Sequence, residues 1–247
     1  MFLSMMTHRI IPYLSKLKLL LVRWNIHILI EPFGNVFLYL AYLSKFSKWR
    51  KQHPPIAFND FYNPQYNHSR RFEMYDFLLK KEDLNSKIIY LEFGVAKGSS
   101  FQWWVEHNQH PDSQFFGFDS FEGLPEDWHI LKKGFFSTGG AMPNIQDSRC
   151  QFIKGLFQST LQGFLEKIPL EGRLVVHLDA DLYSSTSCVL NKMSSCFKRD
   201  DVIIFDEFNV PTDEFRAFLD FFNSHKMKYE LLAACNNYQQ VAIKFCL

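Results

Sequence analysis

The chain has only five cysteines (Cys150, Cys188, Cys196, Cys235, Cys246) and no C-x-x-C pair. An odd set of dispersed thiols argues against a disulfide framework and a zinc knuckle, and predicts a reducing, cytoplasmic setting. An excess charge of one sign is missing too: the net charge is +1, which argues against a nucleic-acid partner recruited by bulk electrostatics. No apolar run reaches the ~18–20 uncharged residues that cross a bilayer, because Lys18, Arg23, His27 and Glu31 interrupt the one candidate. No small-x-small cleavage site follows that stretch, which disfavours a signal peptide. None of the ten tyrosines has a lysine four residues on, so the pair that a short-chain dehydrogenase needs is absent. There is no internal repeat and no low-complexity tract.

What is present is apolar and aromatic. Hydrophobic residues make up 47% of the 247 and aromatics 17%, with 27 Phe, enough for a large core and too much for long disordered tracts. Charge is unevenly spread: residues 1–51 carry eight Lys/Arg against one acid, Glu31, a net of +7 on an otherwise acidic chain. From Arg9 to Ile28, Leu14, Leu17, Leu21, Trp24 and Ile28 recur at helical spacing with Arg9, Lys16, Arg23 and His27 opposite them. Pro32 and Gly34 should break this helix, and a second, from Val36 to Phe46, should lead to a polar hinge at Trp49 to Pro55. The expected division is a helical appendage over 1–55 and one catalytic-sized domain over 56–247. Packing of the appendage on its own body or in a homo-oligomer is favoured over peripheral contact with a membrane.

The body alternates strand and helix patterns, which predicts a doubly wound, mostly parallel α/β sheet. Strands are expected at 87–93, 114–119, 151–154, 173–179 and 201–207, and helices at 70–81, 99–109, 158–167, 184–198 and 211–225. Two last β-like runs, 229–234 and 240–246, flank the turn-forming pair Asn236-Asn237. A closing hairpin of this kind is the expected ending of a class I methyltransferase, a seven-stranded sheet whose last strand inserts antiparallel.

The segment Glu92-Phe93-Gly94-Val95-Ala96-Lys97-Gly98-Ser99 leaves an apolar strand and opens a helix. Glycines at 94 and 98 let the backbone turn tightly and approach a ligand, while the helix start offers free N–H groups. The next strand ends in Asp119-Ser120-Phe121, with Asp119 placed 21 residues past Gly98, where an acid can accept both hydroxyls of a ribose. An adenosine-type cofactor follows. Glu92 would attract a cationic amino group and repel a pyrophosphate, which favours S-adenosylmethionine (SAM) over NAD.

Two further strand ends carry acids: His177-Leu178-Asp179-Ala180-Asp181 and Phe205-Asp206-Glu207. Parallel strands end at one edge of such a sheet, so Asp179, Asp206 and Glu207 should converge beside Gly94 and Asp119. Clustered carboxylates repel one another unless a cation lies between them, and a hard divalent ion such as Mg²⁺ is the expected answer. It would acidify a substrate hydroxyl for attack on the methyl sulfonium. Failing that, Asp179 or His177 is the candidate general base.

The strings FGVAKGSS, FDSFEGLPEDW, FSTGG, FIKGLFQSTL, HLDADLYSST and IIFDEF, in this order over about residues 87–210, resemble the macrocin O-methyltransferase family. The resemblance implies a metal-dependent, SAM-using enzyme that methylates sugar hydroxyls of small molecules. By position it makes Glu92 to Ser99 the SAM loop, Asp119 the ribose acid, Asp179 with residues 206–207 the metal ligands, and Asp179 a possible base. The chain departs from the family in having Asp206-Glu207 where a pair of aspartates is usual. The long Gly/Pro-containing stretch from Gly123 to Arg149 is expected either as a lid over the site or as a surface excursion.

Overall fold

The computed structural model describes residues 2–246, with side chains from residue 11 onward. The chain divides into two compact units, Met1–Lys45 and Phe46–Leu247. In the first, α1 (Phe2–Arg23) and α2 (His27–Ile30) are followed by a 3₁₀ turn (Glu31–Phe33) and by α3 (Gly34–Gln52), which runs on into the second. The helix breaks earlier than its sequence suggests, at residues 24–26, where Asn25 takes a positive φ of 52°. Pro32 sits in the first positions of the 3₁₀ turn, where an N–H is not needed, and Gly34 keeps helical angles. The expected hinge at 49–55 therefore starts only after Gln52, because Trp49 is buried, its indole Nε1 donating to Tyr229 Oη at 2.8 Å. No single described helix is long and apolar enough to cross a membrane.

The larger unit is a seven-stranded sheet in the order β3-β2-β1-β4-β5-β7-β6. Its strands are β1 (Ile88–Phe93), β2 (Gln114–Asp119), β3 (Cys150–Lys154), β4 (Arg173–Leu178), β5 (Val202–Phe205), β6 (Tyr229–Cys235) and β7 (Gln240–Phe245). The first five are mutually parallel and β7 enters antiparallel between β5 and β6. Every residue of β1 and β5 is buried, as the uninterrupted apolar runs of a sheet covered on both faces require. Helices α4 (Arg70–Lys81), α5 (Ser99–His107), α6 (Phe157–Lys167), α7 (Tyr183–Lys192) and α8 (Glu214–His225) supply the cover. β5 is shorter than the apolar run suggests: the Asp206 N–H still bonds the Leu178 carbonyl at 2.9 Å, and the chain then turns away.

Phenylalanine does the packing. Phe46, Phe208, Phe215 and Phe218 gather around Trp49 with ring centroids 5.0–6.3 Å apart, and Phe93 stacks on Phe118 at 4.7 Å. Phe46 is half-buried, and each of the fully buried rings, Phe93, Phe118, Phe208, Phe215 and Phe218, contributes about 1.5–3 kcal/mol of hydrophobic stabilisation. The result is a rigid sheet whose parallel strands all end at one edge.

Candidate functional site

At that edge lies a cavity of about 240 Å³ whose walls include Gly94, Ala96, Asp119, Ser120, Asp179, Asp181, Asp206 and Glu207. The four strand ends expected to converge, those of β1, β2, β4 and β5, do so. Gly94 is demanded by the approach of β1 to β4: its φ is +93°, and a Cβ there would lie 1.8 Å from the Asp179 carbonyl oxygen. Gly98, at φ +80°, caps α5 in the left-handed conformation.

Asp119 stands beside the loop and holds it. Its Oδ2 accepts the N–H groups of Val95 (2.8 Å) and Ala96 (2.7 Å), and its Oδ1 accepts that of Phe121 (2.6 Å). A carboxylate oxygen has two acceptor sites, so Oδ1 keeps one for a ligand hydroxyl. The other expected cofactor residues lie differently. Val95 and Phe121 are buried, Ser99 opens α5, and none of the three is part of the cavity wall.

Glu92 and His177 sit behind the cavity rather than on it. Sheet register puts them side by side on β1 and β4, both fully buried. His177 Nδ1 lies 2.9 Å from Tyr90 Oη, and the Tyr90 hydroxyl donates to Glu92 Oε2. His177 Nε2 lies 3.4 Å from Tyr75 Oη and 3.9 Å from Asp206 Oδ1. Burial alone would depress the imidazole, but the Asp206 and Glu92 carboxylates outweigh it and raise its pKa to about 10. A protonated ring has no lone pair to accept a proton, and its raised pKa together with its burial behind the cavity sets His177 apart from the acids that line it.

Arg71 supplies a second cation. Its Nη1 meets Asp206 Oδ2 at 3.4 Å, and the guanidinium lines the cavity. Burial raises the Asp206 carboxyl, yet His177 and Arg71 reverse the effect and hold it below the usual aspartate range. In the neighbouring acids burial and mutual repulsion outweigh the same cations. Burial and the charge of Asp206 push Asp179 well above its ordinary value. Burial, then repulsion by Glu207 and Asp206, raises Asp181 to about 8, and burial with Asp206 raises Glu207 to about 7.

The residues fit SAM better than a resident metal ion. A glycine loop that tolerates no Cβ, a helix start and an acid with a free acceptor site make an adenosyl and amino-acid cradle. For a divalent ion, Asp206 Oδ1 is buried without a hydrogen-bond partner, but Oδ2 is already taken by Arg71. Among the described residues no group of three His, Cys, Asp or Glu side chains is arranged to hold a metal. Asp206 is paired with Arg71 and faces His177, so Asp179, Asp206 and Glu207 are not arranged as the expected Mg²⁺ ligand set.

Arg71 and His68 are cavity residues that the sequence reading passed over. Arg71 could have been found: it falls three, four and seven residues before Met74, Tyr75 and Leu78, on the buried stripe of α4, where a charge needs a partner. Between Gly123 and Arg149 the chain folds back over the edge. Phe136 lines the cavity, Gly140 N–H bonds the Phe121 carbonyl at 2.9 Å, and Ser184 Oγ donates to Glu126 at 2.6 Å. Lys154, at the end of β3, donates to the Gly140 carbonyl at 3.0 Å and so ties this segment to the sheet.

This strand order, with an antiparallel seventh strand and a glycine loop facing acids at the parallel edge, is the Rossmann-like fold that methyltransferases share. Residues 141–238 match the Macrocin-O-methyltransferase (TylF) family model, which spans the chain from ahead of β3 to the β6–β7 turn. Two solved structures share the fold. The calicheamicin methyltransferase CalS11 is 18% identical, with 83% of this chain and 91% of that chain covered at a TM-score of 0.55. The O-methyltransferase NovP is 19% identical, with 71% and 79% covered at a TM-score of 0.56. No curated protein gives a significant sequence match.

Proposed function

We propose that the protein transfers the methyl group of SAM to a hydroxyl oxygen of a sugar or a glycosylated small molecule. The observation that carries this reading is the set of four carboxyl groups, Asp179, Asp181, Asp206 and Glu207, in one cavity with the glycine loop. A hydroxyl acceptor must lose a proton as its oxygen attacks, and a binding scaffold has no use for clustered acids, three of them of raised proton affinity. The match to the macrocin O-methyltransferase family model and the likeness to the methyltransferases CalS11 and NovP support the same class.

In this mechanism the Gly94 loop and Asp119 hold the cofactor, and Arg71 with His177 keeps Asp206 ionised at the cavity floor. SAM, when bound, supplies an electrophilic methyl group on a sulfonium. Asp181 is the group suited to take the acceptor's proton: it lines the cavity, and with a pKa of about 8 its carboxylate form is populated in mildly alkaline solution. Asp179, whose carboxyl burial and the charge of Asp206 push well above its ordinary value, lines the same cavity and faces the acceptor. The acceptor oxygen gains the methyl carbon, the sulfonium leaves as a thioether, and the proton goes to Asp181.

Calorimetric titration with S-adenosylhomocysteine and with NAD tests the cofactor, and heat from NAD alone would overturn the reading. Methyl transfer from labelled SAM to a panel of nucleotide sugars and glycosides tests the acceptor. Turnover after EDTA treatment, with and without added Mg²⁺, separates transfer by the protein groups alone from transfer that also draws on a cation.

A further inference from the structure

Among the described residues of the first unit, α3 exposes apolar side chains all round its axis. Val36, Phe37, Leu38, Tyr39 and Leu40 are five successive positions of α3, and each is between 38% and 57% exposed. At roughly 100° per residue, five successive positions go right round a helix. A second copy of the chain, or the body of the protein, would bury one stripe; a helix that is apolar all round needs surroundings that are apolar all round. Trp24, Ile28, Leu29 and Phe33 ahead of it are each more than half exposed as well.

Charge chooses among apolar surroundings. From Pro32 to Ser44 no residue is charged, while Lys16, Lys18 and Arg23 precede this belt and Lys45, Lys48, Arg50 and Lys51 follow it. An apolar belt with lysine and arginine at both ends, and Tyr13 and Trp24 exposed among those that precede it, matches the layering of a bilayer: acyl chains, aromatic interface, anionic headgroups. The belt of α3 from Gly34 to Ser44 is roughly 16 Å long, about half of a ~30 Å hydrocarbon core. The helices on the two sides of the break are bent by 79°, so they cannot continue as one straight span.

We propose that residues 11–51 anchor the protein monotopically in one leaflet of an anionic membrane, with the uncharged belt of α3 from Gly34 to Ser44 among the acyl chains and Glu31, with the flanking lysines and arginines, at the headgroup level. The proposal is independent of the chemistry at the cavity. It is tested by flotation of the full chain with vesicles of phosphatidylcholine alone and of phosphatidylcholine mixed with phosphatidylglycerol. The protein should float with the mixed vesicles roughly tenfold better than with neutral ones, and high salt should remove most of that preference. The full-length double variant Phe37→Asp/Leu40→Asp should stay at the bottom of the gradient while still binding S-adenosylhomocysteine, which shows that it is folded. Lys16→Glu/Lys18→Glu should lose the preference for anionic lipid. Absence of flotation would overturn the proposal; if the protein is then a dimer by light scattering and Phe37→Asp/Leu40→Asp makes it a monomer, a second copy covers the belt. Equal flotation with neutral vesicles would overturn the role assigned to the basic residues.

Discussion

Arg71 Nη1 and Asp206 Oδ2 stand 3.4 Å apart at the end of β5, both side chains more than nine-tenths buried, and the pair joins α4 to the acidic edge of the sheet. Truncating one member of a buried ion pair strands the other charge, which costs about 3–5 kcal/mol. Arg71→Ala should therefore lower the unfolding free energy by about that much in urea titration. Arg71→Ala/Asp206→Asn should recover a large part of the loss, because the stranded charge is gone. A single-variant loss below about 1 kcal/mol would show the pair to be solvent-screened.

The loop after β1 gives a second test. Gly94→Ala forces a Cβ onto the Asp179 carbonyl at a φ of +93°, so the β1–β4 contact must open and cofactor binding should be lost. Gly163→Ala is the control: that glycine lies inside α6, where an added Cβ meets nothing within 4 Å. It should raise stability by about 0.5–1 kcal/mol and leave binding unchanged. Similar behaviour of the two variants in thermal melts and calorimetry would mean that the strand-end contact is not needed.

Asp119 answers to two measurements at once. It accepts three backbone N–H groups as well as offering a site to a ribose hydroxyl. Asp119→Ala should weaken S-adenosylhomocysteine binding by about 1.5–3 kcal/mol and lower stability too, since buried N–H groups lose their acceptor. Asp119→Asn, with one acceptor oxygen left, should fall between. Weakened binding at full stability would mean that the carboxylate acts on the ligand alone.

The sheet was legible in the sequence because β1, β2, β4 and β5 are short apolar runs, each ending in an acid or a glycine, and the β6–β7 hairpin declares itself at Asn236-Asn237. Strand ends converge by topology, so Gly94, Asp119, Asp179 and Asp206 could be brought together without coordinates. Their protonation could not. It depends on which cation reaches which carboxylate, and Arg71 arrives from a helix 135 residues away from Asp206. Register, invisible in a one-dimensional pattern, set His177 against Glu92 and turned both from expected ligand-binding groups into an internal pair. The expected break at Pro32 and Gly34 failed for a local reason, because both residues fit the angles of a continuing helix.

Asp181 carries the last prediction. Its side chain lines the cavity, and burial with the charges of Glu207 and Asp206 raises its pKa from 3.8 to about 8. A base works only as the carboxylate, so kcat/KM for methyl transfer should fall as pH drops below about 8 and level off above it. Glu207, raised to about 7, loses its proton over the lower part of the same range and repels Asp181 as it does so. Glu207→Gln removes that repulsion, so the Asp181 pKa should fall and the rise should move to lower pH. Asp181→Asn should abolish the rise and reduce turnover by about 10²–10⁴, the usual contribution of a positioned base. A pH profile measured from 6 to 9 on the three proteins checks this. An unchanged profile in Asp181→Asn would remove Asp181 from the proton path and leave the acceptor's proton to water or to another of the cavity's acids.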